Sequence, residues 1–340
     1  MKKIGIVGLG KVGMEYAYAL INSDIKFNEL ILISKNRKSL ESKALDLNHA
    51  LLSLDKNVKI KVGEYNELID ADIVCITAGV PQNIVKESRD DDFDECNKIF
   101  EDIIPNIYNS GFKGIYIIAS NPLDVMCRIC LKYAKCNPTK IIGTGTLLDT
   151  NRLLSILGEK YNKSMFDIPG YVLGEHGSTS FVNWTSLNIN VPNNDRNEIN
   201  NKVRRIGLEI VDELGFTAYG VSAALLKITK CIDEDKRELL PVSTYLKDYD
   251  IFISTPSVIG KDGVYENNKV TFDEEEKLEF EKSVNKIKQK IKELKWDFLI
   301  NFELYNNFVC HIKIFLLWKN LERSRFILYM QLTYYKDIKN

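Results

Sequence analysis

Three residues in the second half of the chain have the types and spacing for acid–base chemistry on a carboxylate-bearing substrate. His176 lies in the glycine-flanked turn Gly174-Glu175-His176-Gly177, and Asp149-Thr150-Asn151-Arg152 opens a helical stretch. An imidazole titrates near neutrality and can take and return a proton, a carboxylate beside it fixes its tautomer, and a guanidinium forks onto a substrate carboxylate. Neither His49 nor His311 has comparable neighbours.

A second set of residues, at the start of the chain, points to a ligand rather than to a reaction. The first apolar run leads into Gly8-Leu9-Gly10-Lys11-Val12-Gly13, a G-x-G-x-x-G turn between strand and helix. One glycine permits the tight turn, one lets the backbone approach a pyrophosphate, and one packs helix on strand, with helix N–H groups aimed at the phosphates. That fingerprint asks for an acidic residue about 20 positions on, to bond a ribose 2′-hydroxyl. Here the second strand, Glu29 to Ile33, ends in Ser34-Lys35-Asn36-Arg37-Lys38. The carboxylate that would repel a 2′-phosphate is missing and three cations lie nearby. NAD with a solvated basic turn and a preference relaxed or switched toward NADP are both compatible with this stretch.

The elements that must position these residues follow from the apolar pattern. Runs at 3–8, 29–33, 58–62, 72–77, 114–119 and 140–143 alternate with amphipathic stretches. Several read as continuous Ile/Val/Leu, the pattern of parallel strands covered on both faces by crossover helices. The expected fold is α/β, a doubly wound parallel sheet of the Rossmann type over residues 1–145, followed by a second, α+β substrate domain over 146–294. In that second part a helix runs from Leu147 to Tyr161, a hairpin-like block occupies 170–192, and two helical stretches flank a further strand pair. Residues 273–294 carry Leu278, Phe280, Val284, Ile287 and Ile291 at helical spacing, which predicts a closing amphipathic helix.

Composition narrows the class of partner. The 340 residues are 45% hydrophobic and carry 46 Lys and Arg against 47 Asp and Glu, so no basic footprint for nucleic acid or an anionic membrane exists. Seven cysteines, odd in number and scattered through apolar runs, suit a reducing compartment. Cys127-Arg128-Ile129-Cys130 has no second pair at ligand spacing, so no metal is expected. Met1-Lys2-Lys3 passes straight into an apolar strand, without the h-region of a signal peptide, and no stretch has the length and apolarity of a bilayer span. A cytoplasmic protein is the expectation. All 19 Gly and all 8 Pro lie at or before Gly263, and residues 296–340 hold 11 of the 34 aromatics with no clean period. Residues 295–340 therefore read as an atypical C-terminal extension, either an interaction arm or a poorly packing tail that exposes aromatic surface.

Taken in order, Gly8-x-Gly10-x-x-Gly13, Thr77-Ala78-Gly79, Asn121-Pro122-Leu123-Asp124, Gly143-Thr144-Gly145-Thr146-Leu147-Leu148-Asp149-Thr150-Asn151-Arg152 and Gly174-Glu175-His176-Gly177 resemble the lactate/malate dehydrogenase family over about residues 2–294. Within it the chain is most similar to bacterial L-lactate and L-2-hydroxyisocaproate dehydrogenases. The resemblance implies hydride transfer between a nicotinamide cofactor and a small 2-hydroxy or 2-keto acid. It implies His176 as proton donor to the keto oxygen, Asp149 as its orienting partner, Arg152 as the binder of the substrate carboxylate, and Arg89 as a polarising residue on a mobile loop. Asn121 would bond near the carbonyl and nicotinamide, Thr217 would line the substrate pocket, and Gly8, Gly10, Val12, Gly13, Ser34, Lys35, Thr77, Ala78 and Gly79 would contact the dinucleotide. A homodimer or homotetramer is implied as well.

The chain departs from the family in the loop Val80-Pro81-Gln82-Asn83-Ile84-Val85-Lys86-Glu87-Ser88-Arg89, one residue longer than the lactate pattern. Gln82 goes with a small uncharged substrate side chain, whereas Lys86 leaves malate open and the extra residue leaves room for a branched substrate. Asp90 to Asp92 read as a solvated face. Ser178-Thr179 stands where many members carry an acidic residue. A dinucleotide-binding protein without activity is the non-enzyme alternative, and it gives no reason for His176, Asp149, Arg152 and Arg89 to occur together.

Overall fold

Each of the six apolar runs forms a strand in the computed structural model, which describes residues 2–80, 93–267 and 270–294. They are β1 (Lys3–Val7), β2 (Glu29–Ile33), β3 (Lys59–Val62), β4 (Ile73–Ile76), β5 (Ile115–Ile118) and β6 (Ile141–Gly143). All pair in parallel, β1 standing between β2 and β4, with Ile4 opposite both Leu30 and Ile73. Their order in the sheet, β6-β5-β4-β1-β2-β3, is the doubly wound arrangement, and its switch point falls between β1 and β4. Crossover helices α1 (Lys11–Ile21), α2 (Arg37–Ser53), α3 (Phe93–Asn109) and α4 (Leu123–Ala134) connect these strands. Ile4, Ile6, Leu30, Leu32, Ile73, Cys75 and Ile117 are buried in one cluster with Tyr16 and Leu20 of α1 and Leu40 and Leu47 of α2. Burial on both faces is why these strands lack alternation; an enclosed Ile or Leu contributes about 1.5–3 kcal/mol.

The second half adds more to this sheet than a separate strand pair. After α5 (Leu147–Tyr161), the hairpin β7 (Tyr171–Leu173) and β8 (Phe181–Asn183), α6 (Asn193–Leu214) and α7 (Tyr219–Asp233), the chain forms β9 (Glu238–Leu246), β10 (Ile251–Gly260) and β11 (Gly263–Asn267). These three extend the same sheet antiparallel, and β9 joins β6 at Gly143 opposite Ser243. The approach is close because Gly145, at φ +56°, has no side chain: a Cβ there would lie 2.4 Å from the Ser243 nitrogen. Sequence periodicity cannot report such a junction, since it is one residue pair between segments 100 positions apart.

A further contact binds the two halves, and a second apolar cluster consolidates the later one. Tyr16 on α1 and Thr229 on α7 share a buried hydrogen bond of 2.6 Å. A second apolar cluster, with Leu153 and Leu157 of α5, Val172, Val182 and Val203, backs the small hairpin. The closing helix α8 runs Glu274–Glu293, within a residue of the expected span at each end. The chain separates into two compact units, Met1–Gln289 and Lys290–Asn340, and the site described next lies in the first. The extension at 295–340 lies outside the described residues.

Candidate active site

The glycine turn, the helix start and the histidine turn occupy loops that follow strands, where an open α/β sheet presents its ligand crevice. Gly8 has φ +97°, and a Cβ on it would lie 2.4 Å from the Ala78 nitrogen; one on Gly13 would lie 2.2 Å from the Gly8 carbonyl oxygen. Thr77 donates its hydroxyl to that same Gly8 carbonyl. Thr77-Ala78 and the glycine turn are therefore packed on one another. Gly10 and Gly79, by contrast, would carry a Cβ into open space. Gly10 caps α1 with no side-chain hydrogen bond and no acidic residue in the first turn, and Val12 is half-buried against the core. Unpaired N–H groups at a helix start, in front of a gap that only glycine leaves, suit the pyrophosphate of a dinucleotide.

Two expected pocket residues border this cradle. Ser120 donates its hydroxyl to the Ala78 carbonyl at 2.5 Å, which places Asn121, the next residue, at the same edge of the sheet. Thr217 is half-buried in the turn before α7, and the ring of neighbouring Phe216 lies 4.4 Å from the Lys11 ammonium at the start of α1. Ser34, half-buried, and Lys35, exposed, follow β2. Gln82, Lys86, Arg89 and Asp90 to Asp92 lie outside the described residues.

The His176–Asp149 pair is assembled across 27 positions of sequence. Asp149 sits in the first turn of α5, where the helix dipole favours a carboxylate. Its Oδ2 lies 2.7 Å from Nδ1 of His176, and its Oδ1 accepts a 2.9 Å hydrogen bond from Arg152 Nη1, one turn along the same helix. Side-chain exposures are 13% for His176, 8% for Asp149 and 9% for Arg152, so the group is enclosed while still reachable. With the carboxylate on Nδ1, the proton at that nitrogen is held and Nε2 is the exchanging position. Arg152 spends one N–H on Asp149; its guanidinium has further donors with which to meet a substrate carboxylate.

Several residues to which the sequence assigned no role hold the histidine turn. The backbone N–H of His176 donates to Asp124 Oδ2 at 2.8 Å, and Ser243 donates its hydroxyl to Asp124 Oδ1 at 2.5 Å. Asp124 is fully buried, and that burial pushes its carboxyl up to about 7, against the two hydrogen bonds that favour ionisation; the nearby charge of Glu175 pushes the same way as burial. Glu175 is itself buried, its carboxyl folded against Gly177 so closely that a Cβ there would lie 2.5 Å from Oε1. It accepts from the Thr179 N–H at 3.0 Å and hydroxyl at 2.6 Å. On α8, Lys286 reaches both Glu175 Oε1 and Ser178 Oγ at 2.9 Å, and Ser283 donates to the Thr179 carbonyl at 2.7 Å. Backbone bonds in both directions between Gly174 and Ser254, 3.1 Å each, pin the start of the turn to β10. The available signal was Asp124 amid Leu123, Val125 and Met126, since a carboxylate in an apolar helical run needs a buried partner.

Cys127 and Cys130 are free, fully buried thiols on α4, and burial raises both well above the usual thiol range, which makes them poor nucleophiles and poor ligands. Among the described residues no cluster of His, Cys, Asp and Glu is arranged to hold a metal, and no helix is long and apolar enough to cross a membrane.

Residues 2–143 match the family described as lactate/malate dehydrogenase, NAD binding domain, and residues 146–297 match lactate/malate dehydrogenase, alpha/beta C-terminal domain. The L-lactate dehydrogenase of Borrelia turicatae is 36% identical over 312 residues, covering 86% of this chain and 98% of the relative. That of Halalkalibacterium halodurans is 36% identical over 297 residues, covering 84% and 95%. Among solved structures, a lactate dehydrogenase from a Medee basin deep-sea metagenome library superposes with a TM-score of 0.81 at 32% identity, covering 86% of this chain and 99% of the other. The minor L-lactate dehydrogenase of Enterococcus mundtii does so with 0.81 at 33% identity, covering 86% and 98%. With its dinucleotide-binding part matched over residues 2–143 and its C-terminal part over 146–297, the chain belongs to the lactate/malate dehydrogenase family.

Proposed function

We propose that the protein is an L-lactate dehydrogenase, a cytoplasmic, homo-oligomeric oxidoreductase that interconverts pyruvate and lactate. The observation that carries this reading is the enclosed pair in which Asp149 holds His176 by Nδ1 at 2.7 Å while Arg152 stands on the other carboxylate oxygen. Residues 1–145 bind the dinucleotide in this reading, and residues 146–294 supply the acid–base and carboxylate-binding groups. NADH, when bound, supplies the hydride that reduces the keto carbon. His176 delivers a proton from Nε2 to the keto oxygen during reduction and takes it back during lactate oxidation. Asp149 keeps the imidazole in that tautomer and stabilises its protonated form. Arg152 grips the substrate carboxylate with its planar fork, which sets the distance between the keto oxygen and Nε2. Asn121 and Thr217 border the same crevice, and Arg89 polarises the carbonyl from the loop that also carries Gln82.

Substrate choice rests on Gln82, an uncharged group where a malate enzyme needs a cation for a second carboxylate. Initial rates with pyruvate, 2-ketoisocaproate and oxaloacetate, each with NADH and NADPH, test the reading. A pyruvate preference is expected. A 2-ketoisocaproate preference assigns the longer loop to a branched substrate, and an oxaloacetate preference assigns Lys86 to a second carboxylate. Silence in every combination while NADH still binds leaves only a dinucleotide-binding protein. Because Ser34 removes the carboxylate that would repel a 2′-phosphate, NADPH is expected to serve alongside NADH.

A further inference from the structure

We propose that Lys43, its ammonium held on the glycine turn that the end of β2 adjoins, is a specificity-determining residue for the adenosine end of the cofactor and receives the 2′-phosphate of NADP(H). This rests on the dinucleotide reading of the glycine turn. Three observations carry it. First, the Gly8 N–H donates to the Ile33 carbonyl at 2.9 Å, so Ser34 at the end of β2 lies directly beside Gly8-Leu9. Second, Lys43 reaches across from the second turn of α2 and donates to the Leu9 carbonyl at 2.5 Å. Its ammonium is thereby fixed on the glycine turn, whose neighbour at the end of the second strand is the position that meets the adenosine ribose in this fold. Third, among the described residues no carboxylate is bonded to it, and one N–H on Leu9 leaves two donors for an incoming anion.

The other cations of this stretch are less suited. Arg37 is spent on Glu41 at 3.3 Å and Glu64 at 2.6 Å, and Lys35 and Lys38 are exposed side chains. Lys43 is half-buried and already held on the Leu9 carbonyl, so its charge is kept in place at little further entropic cost when a phosphate arrives. A lysine meets phosphate as a point charge, and the small Ser34 hydroxyl leaves room for the extra group where an aspartate would oppose it.

The test is calorimetric titration of the full chain with adenosine 2′,5′-bisphosphate and with 5′-AMP at fixed salt, which needs no turnover. The wild type is expected to bind the bisphosphate roughly 10-fold or more tightly than AMP, the size of one charge-assisted contact. Lys43→Met should remove most of that preference with AMP affinity unchanged, Lys43→Arg should keep part of it, and Ser34→Asp should reverse it. Equal affinities in the wild type, or equal losses for both nucleotides in Lys43→Met, overturn the proposal and leave Lys43 as a tether of α2 to the turn. Binding of neither nucleotide to the wild type overturns it together with the dinucleotide reading. A preserved preference in a protein that reduces no keto acid sinks the dehydrogenase reading and leaves Lys43 in its assigned role.

Discussion

Asp124→Asn isolates the cost of keeping a carboxyl group inside the protein beneath the histidine turn. In the folded chain this group is pushed up to about 7 by burial, whereas in the unfolded chain it titrates near an ordinary aspartate value of about 3.9. Below the unfolded value both states are protonated and the group imposes no charge penalty. Between about 4 and 7 the unfolded chain releases a proton that the folded chain keeps, so stability falls as pH rises. Above about 7 both states are ionised and the penalty levels off near 4 kcal/mol, a shift of about three pH units at 1.36 kcal/mol each. Over the working range from pH 5.5 to 8 the loss is about 2 kcal/mol. Asparagine can accept the His176 N–H and donate to Ser243 without ever ionising, so the variant lacks this slope. Urea unfolding of both proteins at matched concentration, across that range, measures the difference. The wild-type midpoint should fall relative to the variant by about 0.7 M as pH rises, for an m-value near 3 kcal/mol/M. A difference independent of pH, or one that grows in favour of the wild type at high pH, would show that Asp124 is ionised throughout and refute the reasoning.

Asp149→Asn should cut kcat for pyruvate reduction by roughly 100-fold or more with little change in NADH affinity, because the amide no longer fixes the tautomer of His176; stopped-flow turnover with fluorescence titration separates the two. Arg152→Lys replaces a fork by a point charge and should lower kcat/KM for pyruvate by roughly 100-fold, most of it in KM, in steady-state rates. Lys286→Met leaves the buried Glu175 carboxylate without its cation; discounted for the partial exposure of Lys286, the expected loss is about 1–3 kcal/mol with reduced kcat, and Lys286→Arg should restore most of both. Wild-type stability and kcat in the Met variant would mean that Thr179 alone holds Glu175.

The parallel half of the fold was legible because its signals are local. Continuous Ile/Val/Leu at Ile31 to Ile33 and Ile73 to Ile76 declares strands buried on both faces, and Gly8-x-Gly10-x-x-Gly13 follows one of them at once, so strand, turn and helix start can be read within a dozen residues. His176, Asp149 and Arg152 were likewise recognisable by type and local setting, and α5 begins at Leu147 as its pattern predicts. What only tertiary structure decided is how distant segments meet. Antiparallel β9 joins β6 through Gly143 and Ser243, which brings the Ser243 hydroxyl onto Asp124, and Asp124 in turn holds the backbone of His176. Lys286 enters from α8, where its spacing reads only as the solvated side of an amphipathic helix, and its carboxylate partner is 111 positions away. Lys43 looks equally ordinary in α2 until the fold sets its ammonium on the Leu9 carbonyl. Periodicity reports which face of an element is buried, because that follows from the repeat of the backbone. It carries no record of which charged groups become neighbours once the faces close, since that depends on packing distances among segments far apart in the chain.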